Sequence, residues 1–159
     1  MVRDLVMRSM LFALLVLGLS TGCAATSEVD AQAQVALEAQ AAGALANGDY
    51  AKLVELAMPR ARAGDPEFQF EVGYSMLEWL QDPNPKEPPK HTAKNALVWI
   101  YKAATAGVPQ AASTLRSGYE WGRYSLPKNA ELEACWRKVE AEEQKPDVCL
   151  AAEAKLKQQ

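Results

Sequence analysis

Three short stretches constrain the fold of this chain more than any others. They are "AGDP" at 63–66, "AGVP" at 106–109 and "EQKP" at 143–146. The first two read as a helix stop followed by a helix start. Glycine supplies the left-handed residue that ends a helix, and proline is favoured at the first position of the next one. Placing Gly64 on Gly107 brings Ala63 onto Ala106, Pro66 onto Pro109 and Val72 onto Leu115, an offset of 43 residues. Placing Trp99 on Trp136 brings Pro109 onto Pro146, an offset of 37. A single helical hairpin cannot bury its own faces, so a chain that repeats one must stack the copies.

Helix signals fill the segments between these punctuation points. "DYAKLVELAMPRARAG" carries Leu53, Leu56 and Ala57 at helical spacing, with Asp49 as a cap. Pro59 is expected to kink or weaken that helix. Asp65 and Pro66 open a second helix with Phe68, Val72 and Met76 as its apolar stripe. "DPNPKEPPKH" at 82–91 interrupts the pattern with four prolines and reads as a stiff insertion between repeats. No window alternates as a strand does. The expected fold is all-α, an α/α right-handed superhelix of about three helix–turn–helix repeats behind an N-terminal cap helix. The expected organisation is a signal segment at 1–22, a tether at 23–30, the cap helix at 31–48 and the repeat domain at 49–159.

The best-formed unit is "ALVWIYKAATAGVPQAASTLRSGYEWG", 96–122. Ala96, Trp99, Ala103, Ala104 and Gly107, followed by Ala111, Leu115, Tyr119 and Gly122, resemble the Sel-one-like repeats, a helix–turn–helix family related to tetratricopeptide repeats. The next unit matches at Pro127, Lys128, Ala134 and Trp136. The first keeps Ala61, Gly64, Val72 and Gly73 without the first-helix Trp. Arg116 stands where the family prefers Gly, Ser125 is a one-residue insertion, and Gln144 replaces the third turn glycine. The resemblance covers about 49–157. It implies a scaffold that binds protein or peptide through a surface lined by the first helix of each unit.

The N-terminus reads as an export signal. Arg3 and Arg8 precede the apolar run "SMLFALLVLGLS". That run is short of the roughly 20 residues of a comfortable membrane span. "LSTGC" at 19–23 looks like the lipobox of bacterial lipoproteins, with Gly22 at the small position and Cys23 as the residue that takes the fatty-acyl (palmitate-type) chains. Ala24 stands where Asp would favour inner-membrane retention. The resemblance implies an outer-membrane lipoprotein facing the periplasm of a Gram-negative cell. An ordinary secretory signal cut near the same place is the alternative. Which membrane leaflet holds the anchor stays open.

Composition argues against several function classes. The formal net charge is −3, which gives no footprint for nucleic acid. His91 is the only histidine, sits at the end of the proline-rich loop and reads as an exposed loop residue. No phosphate loop, nucleophile elbow or zinc-type spacing is present. The expectation is a non-enzymatic protein with no cofactor, no metal and no catalytic residues.

Trp99, Trp136 and Tyr119 occupy packing positions of the repeat and are expected in the core. Tyr101, Trp79, Trp121 and Tyr124 are less constrained and are candidate contact rings. Glu55, Val98, Lys102, Trp121 and Arg137 are the candidate protein-binding surface. Cys135 and Cys149 form an even pair in an oxidising compartment, which favours a disulfide. Helix geometry opposes it. A helix through 143 puts Cys135 about 12 Å from the turn and Cys149 about 3 Å, whereas a bridge needs Cα atoms within about 7 Å. Besides the adaptor reading, two others fit: an immunity or inhibitor lipoprotein acting on a secreted effector, and a peptidoglycan-associated binding protein.

Overall fold

The computed structural model describes the backbone of residues 21–156 and the side chains of 31–155. Among the described residues there are seven α-helices and no strand: α1 Thr21–Ala46, α2 Tyr50–Arg62, α3 Pro66–Gln81, α4 Ala93–Thr105, α5 Pro109–Trp121, α6 Ala130–Glu140 and α7 Pro146–Leu156. Most of the signal segment, 1–22, lies outside the described residues. The chain divides into two units, one ending at Gln40 and one beginning at Ala41.

In the first unit, α1 is already helical at Thr21, so residues 23–30, read as a tether, have helical backbone. Alanine-rich sequence with no Gly or Pro between 24 and 42 explains the continuity. Val35 stands exposed on this helix. The cap helix expected at 31–48 is this helix's second half, and only its residues 41–46, with buried Ala44, belong to the second unit.

The second unit is an all-α stack of helical hairpins, α2–α3, α4–α5 and α6–α7. Each consecutive pair packs together, and α7 also returns against α4. All three second helices begin with the aligned prolines, Pro66, Pro109 and Pro146. Gly64 and Gly107 occupy equivalent turns at φ +97° and +93°, a region closed to most side chains. In the third hairpin Gln144 replaces that glycine. The turn there lengthens to 141–145, and Glu142 takes the left-handed conformation at φ 58°.

Side-chain caps fix the starts of the first helices. Asp49 accepts from the Lys52 amide, and Asn129 accepts from Glu131 and Leu132. Thr92 and Asn95 form a reciprocal capping box. Such caps stabilise by about 1 kcal/mol each. α2 runs unbroken through Pro59. Its inward stripe is Val54, Ala57, Met58 and Ala61; of the expected Leu53, Leu56 and Ala57, only Ala57 belongs to it.

The core follows from small residues facing large ones. Ala96, Ala103, Ala104, Ala111 and Ala112 are buried and let α4 and α5 approach closely. Leu77, Ile100, Leu115 and Trp136 fill the remaining space and are fully buried. Burial of each such aliphatic side chain stabilises by roughly 1.5–3 kcal/mol. At the α3–α4 contact, Gly73 faces Ile100 and the Ala96 carbonyl so closely that a Cβ would lie 2.8 Å from Ile100 Cδ1. Among the described residues every buried side-chain nitrogen and oxygen has a hydrogen-bond partner.

Candidate functional site

Lys94, Leu97, Val98 and Tyr101 follow the i, i+3, i+4, i+7 pattern, which places them on one face of α4. The core residues of the same helix are Ala96, Leu97, Ile100, Ala103 and Ala104, so Leu97 belongs to both sets. The first set lines a groove of about 530 Å³. Tyr119 of α5, Ser125–Leu126–Pro127, Leu132 of α6 and Glu153 of α7 complete its walls. A groove of this size falls within the ~300–1,000 Å³ range of ligand sites.

The loop wall exists because the chain departs from its own repeat. Tyr124 and Ser125 both adopt positive φ, 58° and 64°. Each such non-glycine residue costs about 1–2 kcal/mol. The turn drives Leu126 down onto Gly118, where a Cβ would stand 2.7 Å from Leu126 Cδ1. The Asn129 amide then closes the loop on the Tyr119 carbonyl at 3.0 Å. The single insertion seen in the sequence thus shapes one side of the groove.

The floor is polar. Tyr101 and Tyr119 share a hydroxyl–hydroxyl bond of 2.9 Å. The Trp136 indole N–H donates to Glu153 Oε1 at 3.0 Å, and the Tyr101 and Trp136 rings lie 5.9 Å apart, centroid to centroid. Glu153 is only 5% exposed. Burial holds the Tyr101 hydroxyl proton far above the ordinary tyrosine range, and its bond to Tyr119 and the Glu153 charge add to that. Burial and the Glu153 charge raise Tyr119 as well, against an opposing effect of the Tyr101 bond. The arrangement offers apolar walls, neutral hydroxyls and one buried carboxylate. Among the described residues no three His, Cys, Asp or Glu are placed to hold a metal ion.

Of the five expected surface residues, the groove gathers only Val98, which is 50% exposed. Lys102 is exposed with its ammonium 4.5 Å from the Trp99 ring centre. Trp121 is exposed at the end of α5. Glu55 is exposed on α2 and pairs with Lys52 at 2.9 Å. Arg137 is exposed and donates to Glu133 of its own helix. Tyr119 and Trp136 are buried, whereas Trp99 is half-buried at the edge of the core under Lys102.

Among the other candidate rings, Tyr101 is half-buried in the groove floor, and Trp79 and Tyr124 are half-buried as well. His91 is half-buried rather than exposed. Its Nε2 lies 2.8 Å from the Met76 carbonyl and its ring lies on Trp79, so it anchors the proline-rich loop to α3. The Trp79 indole donates to the Glu87 carbonyl, and Lys86 reaches Asp49, which pins the same loop at two further points.

Cys135 and Cys149 form a disulfide with Cα atoms 5.7 Å apart. The geometric objection assumed a helix through 143, and α6 ends at Glu140. The longer turn lets α7 fold back beside Cys135, and the Gln144 amide donates to both sulfurs. Cys23 lies near the start of α1, with its side chain outside the described residues.

Sequence reasoning passed over Lys94, Leu97, Leu126, Leu132 and Glu153. The α4 residues were legible as a second stripe beside the alanines, and Glu153 was legible as a lone acid in "CLAAEAKL".

The fold defines a helical-repeat protein whose second and third hairpins enclose a groove. No family model, curated protein or solved structure matches the chain. Among the described residues no helix is long and apolar enough to cross a membrane.

Proposed function

We propose that this protein is a periplasm-facing lipoprotein of the outer membrane, held by acyl chains on Cys23, and that its Sel-one-like repeats act as a scaffold binding a segment of a partner protein. The observation that carries the binding role is the groove. Apolar side chains from α4, α6 and the 125–127 loop converge over two tyrosine hydroxyls and a carboxylate. Pockets with apolar walls and a few convergent polar groups are the usual form of a recognition site. Stacked repeats are suited to this because the first helices of adjacent units face one surface. The "LSTGC" motif supports the anchor. Several acyl chains together hold a protein to a bilayer, whereas one chain gives only marginal binding.

Mild crosslinking of the full-length protein in intact envelopes, followed by affinity purification, tests the scaffold role. One stoichiometric protein is expected to co-purify. Its absence, together with a rise in melting temperature on adding peptidoglycan fragments, would replace the scaffold reading with glycan binding. Rescue from toxicity of the co-purified protein would make it an inhibitor. Cys23→Ala is expected to abolish acyl labelling and membrane retention, and unchanged retention refutes the anchor.

A further inference from the structure

We infer that the groove takes a segment carrying a basic side chain, Lys or Arg, whose cationic head pairs with Glu153 while its methylene stem lies between Leu97, Leu126 and Leu132. The inference rests on the reading of the groove as a partner site and specifies the occupant's chemistry.

Glu153 is the residue that selects the occupant. Its carboxylate is almost wholly buried, yet it lines the groove. A buried carboxylate is costly unless it is paired or richly hydrogen-bonded. Among the described residues it forms no ion pair with Lys, Arg or His. It accepts a hydrogen bond at Oε1 from the neutral Trp136 indole N–H, and the Tyr101 and Tyr119 hydroxyls also reach it. The Tyr101 and Tyr119 hydroxyls beside it are neutral donors too, and one of their protons is used between them. The charge is thus held in place by neutral dipoles with no cation opposite.

The other buried acid shows the contrast. Glu133 is met by Arg137 from its own helix, and Arg116 ties Glu140 to Glu120. Of the two buried acids, Glu133 thus has a cation opposite it and Glu153 has none among the described residues.

Chemical complementarity then selects the occupant. Lys and Arg are the side chains that combine a long apolar stem with a cationic end. The walls suit the stem, and Glu153 lies among the lining residues to meet the head. Acidic occupants are opposed by Glu153. Purely apolar occupants would cover the carboxylate without pairing it, which raises its desolvation cost. Lys94 stands exposed at the rim, where water and salt screen its repulsion of an incoming cation.

The test uses the full-length chain in phosphatidylcholine nanodiscs, labelled with 15N-tryptophan, with empty nanodiscs as the partitioning control. The Trp136 indole resonance reports on the groove floor, because its N–H is bonded to Glu153. Three probes of equal length are titrated: n-hexylammonium, n-hexanol and n-hexanoate. The expected result is a saturable Trp136 shift with hexylammonium at least about tenfold tighter than with hexanol, the scale of close charge pairing at interfaces, and no binding of hexanoate. Glu153→Gln keeps an acceptor for the indole and is expected to remove the preference for the cation. The comparison of probes on the unaltered chain decides the matter even if that variant misfolds.

Equal binding of hexylammonium and hexanol overturns the charge pairing and leaves the groove as a partner site. Tighter binding of hexanoate overturns it more strongly. Hexylammonium binding with no co-purified partner keeps the cation preference and removes the scaffold reading, so the two failures are distinguishable.

Discussion

Gly73→Ala is the substitution that most sharply tests the packing of the repeats. A Cβ at position 73 would lie 2.8 and 2.9 Å from Cδ1 and Cγ1 of Ile100, and 3.0 Å from the Ala96 carbonyl oxygen. Ile100 is fully buried, and the carbonyl belongs to a helix, so neither yields cheaply. Overpacking of this kind costs roughly 1–3 kcal/mol. Alanine's better helix propensity returns about 0.8–1 kcal/mol. Because neither neighbour yields, the overpacking cost belongs to the upper part of its range, about 2–3 kcal/mol, and the net expectation is a destabilisation of about 1–2 kcal/mol, read by urea unfolding at unchanged slope.

Gly43→Ala is the control. It also lies inside a helix, but a Cβ there meets nothing within 4 Å. It is expected to stabilise by about 0.5–1 kcal/mol. The two variants make the same chemical change with opposite signs, and only the α3–α4 contact separates them. Ile100→Val in the Gly73→Ala background is expected to recover part of the loss, because it removes the nearest atom. A neutral or stabilising Gly73→Ala would falsify the α3–α4 spacing on which the stack is built.

Three further outcomes follow from the same structure. Replacing both Cys135 and Cys149 by Ser opens a disulfide with sequence separation 14 and is expected to cost about 3 kcal/mol, measured by urea unfolding; a loss below about 1 kcal/mol contradicts the clip between α6 and α7. Tyr101 and Tyr119 keep their protons in the fold well above the ordinary tyrosine pKa, so their contribution to stability is complete below about pH 10 and is lost as pH rises beyond it. Absorbance titration at 295 nm is expected to show these two of the five tyrosines ionising only with unfolding, and five tyrosines ionising freely in the folded state refutes the buried pair. Asp49 has its carboxyl held below the usual range, chiefly by the Lys52 amide, so its cap is present above about pH 4 and fades as pH falls through the lowered value; Asp49→Ala is expected to remove that acid-side component of the pH–stability profile.

Much of the architecture was legible because helix punctuation is local chemistry. Pro66, Pro109 and Pro146 start the helices that the offsets of 43 and 37 align, and Gly64 and Gly107 turn the chain as their lack of a side chain allows. Pro59 was less readable, because α2 continues through it. The disulfide depended on where α6 stops, and helix ends are the least certain feature of a sequence. The groove was harder to read because it is made by departures from the repeat. Tyr124 and Ser125 give no sequence signal of their left-handed backbone, and Glu153 meets Tyr101 only through the return of α7 onto α4. Val98 was readable as exposed; that it stands beside a buried acid was not.

The most direct measurement is site-specific photocrosslinking of the full-length protein in intact envelopes. A benzophenone side chain replaces Val98 at the groove, and in a second variant Glu55 on α2. The scaffold account predicts one adduct of defined mass from position 98 and none from position 55, with the crosslinked partner peptide carrying Lys or Arg. Adducts of equal yield from both positions, or none from 98 while 55 crosslinks, would contradict the assignment of partner binding to the groove.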